Sequence, residues 1–139
     1  MSHQKRGGLV LLQLVWFALP NLLIGCATTR SSAVVNRRDP EPVLRAYFDA
    51  WAHNDATRQQ SFMTSNYAGL VSEPVDSLRV LSIKPIDPLA GTTRVFAVSF
   101  DIKSSSPGSS VPSGRHEWTY TLTWDRKSEG WLISNYGAG

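Results

Sequence analysis

The sequence predicts an α+β domain in which two or three N-terminal helices pack on a curved antiparallel sheet of about four strands. Three observations lead there. Val43, Leu44, Tyr47, Phe48 and Trp51 recur at i, i+1, i+4, i+5 and i+8, which is one face of an α-helix. From Ser77 onward the period changes to two, most cleanly over Arg94–Lys103 and Arg115–Asp125. Turn-rich stretches join the alternating runs, so that helices come first and neighbouring strands follow.

Ahead of this pattern stands an export signal. Lys5 and Arg6 precede an apolar run from Gly7 to Gly25. That run is at the lower edge of the roughly 17–25 residues a membrane-crossing helix needs, and Gln13, Pro20 and Asn21 interrupt it. It closes on Leu23-Ile24-Gly25-Cys26: a branched aliphatic, a second apolar residue and a small residue before the one cysteine, as read in bacterial lipoprotein maturation. The expectation is that residues 1–25 are removed and Cys26 carries lipid on its sulfur. Each buried methylene of an acyl chain adds about 0.8 kcal/mol, so two chains hold a protein stably on the extracytoplasmic face of the cell membrane. With Cys26 modified, no thiol remains for a disulfide, a nucleophile or a zinc cluster.

Residues 26–38 read as a flexible, lipid-anchored tether, since Ala27–Arg38 has small polar residues and no sustained period. Twelve such residues span roughly 20 Å on average. Arg30, Arg37 and Arg38 either meet anionic headgroups, at about 1 kcal/mol each, or simply keep the linker solvated. From Asp39 onward nine Lys/Arg face eleven Asp/Glu, so the formal charge of +3 belongs to the leader and tether. It gives no argument for nucleic acid.

The domain is expected over residues 39–139. Asp39 caps the first helix, Pro40 fits its first position and Glu41 faces the positive end of its dipole. Arg45, Asp49 and His53 fall on the wet side. Asn54-Asp55 ends the period and recaps, and Ala56–Thr64 reads as a shorter helix burying Phe62 and Met63, with Gly69 near its end.

In the first strand, from Ser77 to Pro85, Leu78 and Val80 share one face while Leu81 and Ile83 share the other. The strand is therefore bulged or buried on both sides. In the second, Phe96, Val98, Phe100 and Ile102 point inward. Lys103–Gly114 is a Ser/Gly/Pro loop, long for a hairpin and expected to be mobile. The third strand alternates His116, Trp118, Tyr120, Leu122 and Trp124 against Arg115, Glu117 and three threonines. If Trp124 faces Trp131 across the polar turn, Leu122 meets Ile133.

The element order, the helix pattern Tyr47-Phe48-Asp49-Ala50-Trp51 and the closing Gly130-Trp131-Leu132-Ile133 resemble the nuclear-transport-factor-2-like, cystatin-like superfamily. Within it the chain is similar to the uncharacterised lipid-anchored or secreted domains of Gram-positive bacteria grouped as domain-of-unknown-function family 4829. The resemblance implies a cone-shaped fold with a pocket between helices and sheet, in a superfamily of enzymes, ligand binders and dimerisation modules. It implies no active site.

Catalytic candidates are few. His116 has core-side parity at a strand end, and Asp101 has outward parity, the parity of a surface carboxylate. Asp49, His53 and Asp55 have a spacing that can hold a metal, yet they stand on a wet helix face, so no metal and no cofactor is expected. Tyr47, Trp51, Tyr67, Phe96, Phe100 and Trp118 either line an apolar pocket or fill the core. The expected role is non-enzymatic binding of an envelope protein partner or a small apolar ligand near the membrane. The alternatives are a small isomerase- or hydrolase-type enzyme using Asp101 or His116, and a homodimerising structural module.

Overall fold

A computed structural model of the 139-residue chain describes residues 34–67, 72–86 and 91–138. Leu23, Ile24, Gly25, Cys26, Arg30 and Gly69 lie outside the described residues. Among the described residues no helix is long and apolar enough to cross a membrane.

Helix α1 spans Pro40–Ala52. The Asp39 carboxylate accepts the Glu41 amide at its start, and Arg45 reaches back to Glu41 at 2.6 Å. Its apolar stripe is fully used: Val43, Leu44, Tyr47, Phe48 and Trp51 are all buried. The helix stops at Asn54, whose φ of 55° is the left-handed conformation that asparagine tolerates better than most residues. There the Asn54 and Asp55 amides close on the Trp51 and Ala50 carbonyls.

Asp55 then caps α2, Ala56–Gln60, by accepting the Arg58 amide. This helix is shorter than the expected run to Thr64. Residues 62–64 leave the helical path to pair with the last strand: the Ile133 amide donates to the Phe62 carbonyl and the Thr64 amide to the Ile133 carbonyl. Phe62 and Met63 are buried as expected, but by this bridge rather than by a helical face.

Four strands follow: β1 Val75–Pro85, β2 Thr93–Ser104, β3 Gly114–Asp125 and β4 Gly130–Ala138. They form one antiparallel sheet in the order β1-β2-β3-β4, each strand beside its sequence neighbour. The mixed pattern of β1 resolves as a bulge. Val80 pairs with Phe100 and Ile83 with Val98, so Leu81 is the extra residue and stands 37 % exposed. That extra residue lets Leu78, Val80 and Ile83 all pack on one core. In β2 the inward residues are Phe96, Val98, Phe100 and Ile102, all buried. The β3–β4 register has Trp124 opposite Trp131 and Leu122 opposite Ile133. A further bulge stands at Ser134, whose hydroxyl takes the Thr123 hydroxyl and donates to the Thr121 carbonyl.

The expected tether ends earlier than residue 38. Val35 packs against the core, the Arg37 carbonyl accepts the Trp131 amide at 2.9 Å, and the Arg38 carbonyl accepts the Trp131 indole N–H. The Arg37 guanidinium lies 5.1 Å from the centre of the Phe62 ring and donates to the Ser61 hydroxyl. Gly130 is required at this contact, because a Cβ there would stand 2.8 Å from Arg37 Cβ.

Candidate functional site

The buried polar groups cluster where α1, α2, β3 and β4 meet. Helix α1 brings in Tyr47, the inward faces of β3 and β4 bring in Tyr120 and Tyr136, and the turn after α2 adds Tyr67. Tyr47 packs edge-on to Tyr120 at 5.8 Å between ring centres, and Tyr120 stacks on Tyr136 at 5.7 Å. Tyr67 meets Tyr136 at 6.0 Å and donates its hydroxyl to the Asn135 side-chain oxygen. Gln59, only 2 % exposed, donates its amide to the Ser72 hydroxyl, which also shares a hydrogen bond with the Tyr47 hydroxyl.

Burial sets the electrostatics. It pushes the Tyr47 hydroxyl up to about 12 against the opposing hydrogen bond from Ser72, and it pushes Tyr120 and Tyr136 upward as well. All three are neutral hydroxyls at physiological pH. They can donate or accept hydrogen bonds, but none is poised to remove a proton. Among the described residues the buried Tyr120 hydroxyl has no partner at full hydrogen-bond geometry, and the Tyr47 hydroxyl is the polar group it interacts with.

An orphaned buried hydroxyl costs about 1–3 kcal/mol. Tyr120→Phe is therefore expected to raise stability by about 1 kcal/mol, read as a higher urea midpoint at unchanged slope. Tyr47→Phe, which deprives Ser72 of a partner, should lower it by a similar amount. A Tyr120→Phe protein less stable than the parent would mean that the hydroxyl has a partner in solution.

The catalytic candidates are not brought together. Asp101 pairs with Arg115 at 3.0 Å and Arg79 at 3.3 Å on the sheet face away from α1. The Arg115 hydrogen bond, joined by Arg79, holds its carboxyl below the ordinary carboxylate value, the reverse of what a general base needs. His116 stacks on Phe100 at 5.5 Å, and its Nε2 lies 2.7 Å from the Pro112 carbonyl, so this nitrogen carries the proton it donates. Asp49 is spent on Arg58 at 2.7 Å and on His53, and among the described residues no group of three His, Cys, Asp or Glu can hold a metal.

Of the six aromatic candidates, four lie in the core and two at its margin. Tyr47, Trp51, Phe96 and Phe100 are buried; Trp51 packs on Phe100 at 5.7 Å and on Trp118 at 6.3 Å, with Trp118 and Tyr67 half-buried at the margin. The described surface clefts have other linings, such as Arg45, Phe48, Asp49, Leu78 and Val80 between α1 and β1. Gln59, Ser72 and the hydroxyl ends of Tyr120 and Tyr136 were not singled out by the sequence. The one available signal was the inward parity of Tyr120 and Tyr136.

The Ser-rich loop is tied down rather than loose. Glu73 accepts from the Ser109 hydroxyl and from the Ser110 amide and hydroxyl, while its carbonyl takes the Trp51 indole N–H at 2.9 Å. These hydrogen bonds, Ser109 first, hold the Glu73 carboxyl below its ordinary 4.5. Because the folded value is the lower one, the tie is complete above 4.5 and is lost as pH falls through the lowered value. Amide-exchange protection at Ser110 is therefore expected to fall on acidification. Protection unchanged well below that pH would show that other contacts hold the loop.

No curated protein sequence matches the chain. Among solved structures it is similar to the solution structure of RPA3114, a SEC-C motif containing protein from Rhodopseudomonas palustris. The TM-score is 0.53 at 16 % identity, covering 74 % of this chain and 80 % of that one, a likeness of fold alone. Over residues 72–137, from the Ser72 of the tyrosine cluster through the four strands, the chain matches the domain of unknown function DUF4829.

Proposed function

We propose that this chain is a lipoprotein of the bacterial cell envelope, anchored through Cys26, whose cone-shaped, cystatin-like domain binds a partner protein without catalysis. The observation that carries the reading is the chemistry of the buried polar cluster: neutral tyrosine hydroxyls and an amide, with Asp101 paired off on the opposite sheet face and His116 bonded to a loop carbonyl. A pocket isomerase or hydrolase needs an acid–base pair inside the cone. The dense aromatic core favours a protein partner over a small apolar ligand.

A second reading, a homodimer through the sheet, rests on the face away from α1. Around Ala97, Thr119, Thr121 and Gly137 its side chains are small, which would let another sheet approach to about 10 Å there, with Glu117 opposite Ser99 at the edge of that patch. One experiment addresses both readings. Cys26→Ser is expected to abolish palmitate labelling and release the protein from the membrane. A photoreactive residue at Thr121 is expected to give, in intact cells, one discrete adduct that disappears in the Cys26→Ser background. An adduct of twice the protein's mass would decide for the homodimer. Persistent palmitate labelling would overturn the anchor, and absence of any adduct at Thr121 would overturn binding through this face.

A further inference from the structure

We propose that the free edge of β1, at Leu78 and Val80, takes an extended segment of a partner protein as a fifth strand. This deepens the partner-binding reading above by naming a surface and a partner class, and it depends neither on Cys26 nor on the outer sheet face. The backbone alternation shows which groups are on offer. The Ile86 amide donates to the Val95 carbonyl and the Ser105 amide to the Pro74 carbonyl, whereas on the other side of β2 the Trp124 amide reaches the Thr92 carbonyl. Odd-numbered residues of β2 therefore bond to β1 and even-numbered ones to β3. Ser77 and Arg79, opposite Lys103 and Asp101, spend their backbone groups on β2. Leu78 and Val80, opposite Ile102 and Phe100, turn N–H and C=O outward. β1 is the first strand of the sheet, and among the described residues no strand pairs with its outer edge.

That edge already holds one amide. Val75, opposite the even-numbered Ser104, also turns outward, and the Asn54 side chain binds it as a peptide group would, donating to its carbonyl at 2.9 Å and accepting its amide at 2.8 Å. Beyond Asn54 the same row continues at Leu78 and Val80, which line a cleft of about 310 Å³ with Arg45, Phe48, Asp49 and Ala52 of α1. A row of outward donors and acceptors matches an extended backbone, and the cleft beside it takes an apolar side chain of that segment. Charge narrows the class. On the α1 side Glu41 is matched by Arg45, and Asp49 by Arg58. On the outer face Asp76 is matched by Lys103, while one carboxylate, Asp101, serves both Arg79 and Arg115. Lys84 has no ion pair among the described residues, and Glu117 lies two strands away on β3. The segment that fits alternates apolar residues toward the cleft with acids beside Arg79 and Lys84. A second copy fits less well: it brings its own Arg79 and Lys84 to the edge, and the bulge at Leu81 and the missing N–H of Pro85 shorten what two β1 edges can share.

The test uses the full chain in detergent micelles and a synthetic heptapeptide of alternating glutamate and valine, with amide exchange read residue by residue. In the free chain the Leu78 and Val80 amides are expected to exchange about tenfold or more faster than those of Ser77 and Arg79. Millimolar peptide should slow Leu78 and Val80 by about tenfold or more and leave Ser77 and Arg79 as they were. The same peptide methylated on its valine nitrogens, which face β1 when the valines face the cleft, keeps its charge and side chains and should lose the effect. A lysine–valine peptide should bind several-fold more weakly. Val80→Pro removes one outward N–H without touching the β2 ladder, so it should weaken the peptide several-fold while the Ser77 and Arg79 amides stay protected. Leu78 and Val80 amides already slow in the free chain, no slowing by the peptide, or equal slowing by its methylated form each overturn the proposal. Slowing that grows with protein concentration alone assigns the edge to a second copy and overturns the partner segment. None of these readouts involves Cys26 or Thr121, so failure here leaves the anchor and the sheet-face contact standing, and their failure leaves the edge standing.

Discussion

Trp51→Ala is expected to destabilise the domain by about 3–5 kcal/mol, enough to leave much of the protein unfolded at growth temperature. Trp51 is 1 % exposed and meets Tyr47, Phe48, Phe100 and Trp118 at ring separations of 6.4, 6.0, 5.7 and 6.3 Å. No neighbour can refill that volume without leaving its own contacts, so both the lost burial and the residual cavity count against the mutant. The indole N–H adds a second effect, because it holds the Glu73 carbonyl, and Glu73 in turn holds the loop between β2 and β3. Trp51→Phe separates the two: it keeps an aromatic ring, loses the hydrogen bond, and should cost about 1–3 kcal/mol. Urea unfolding measures both. A Trp51→Ala loss under about 1 kcal/mol would mean that the helix–sheet core is not the stabilising unit described above.

The elements that were legible in the sequence are those whose own period specifies one face. The α1 stripe and the alternations of β2 and β3 each dictate a single inward set, and the Trp124–Trp131 pairing follows from a short polar turn. Where local pattern and tertiary pairing compete, pattern loses. Ala56–Thr64 reads as helical, but residues 62–64 gain two backbone hydrogen bonds to Ile133 by leaving the helix, and α2 stops at Gln60. Residues 35–38 have no period, yet Trp131 supplies donors that match their carbonyls. A linker composition cannot reveal a docking partner almost a hundred residues away.

The candidate site was hidden for a different reason. A tyrosine in an apolar alternation scores as core, and Tyr47 and Tyr120 do pack as core with Tyr136 against them; the Tyr47 hydroxyl nevertheless joins Gln59 and Ser72 in a buried polar group. No spacing rule joins residues 47, 59, 72, 120 and 136. Asp101 and His116 were visible as polar residues at strand positions, and their parities already set them on opposite faces. The structure adds their partners: Arg115 holds Asp101 on the outer face, and the Pro112 carbonyl takes the Nε2 of His116, whose ring covers Phe100.

Asn54→Ala is expected to cost about 2–4 kcal/mol, although the residue is at the surface and touches little of the core. Asn54 does two things at once. Its left-handed backbone, φ 55°, turns the chain out of α1, and its side chain then mimics a strand: the amide donates to the Val75 carbonyl at 2.9 Å and the oxygen accepts the Val75 amide at 2.8 Å. Val75 is buried, so losing both bonds leaves a donor and an acceptor without solvent to replace them. Alanine also disfavours the left-handed conformation by about 1 kcal/mol, a penalty glycine avoids. Asn54→Gly should therefore be less damaging than Asn54→Ala by about that amount, while both lose exchange protection at the Val75 amide. Equal destabilisation by the two would assign the whole effect to the hydrogen bonds, and an unchanged Val75 amide would deny that Asn54 pins β1 to the end of α1.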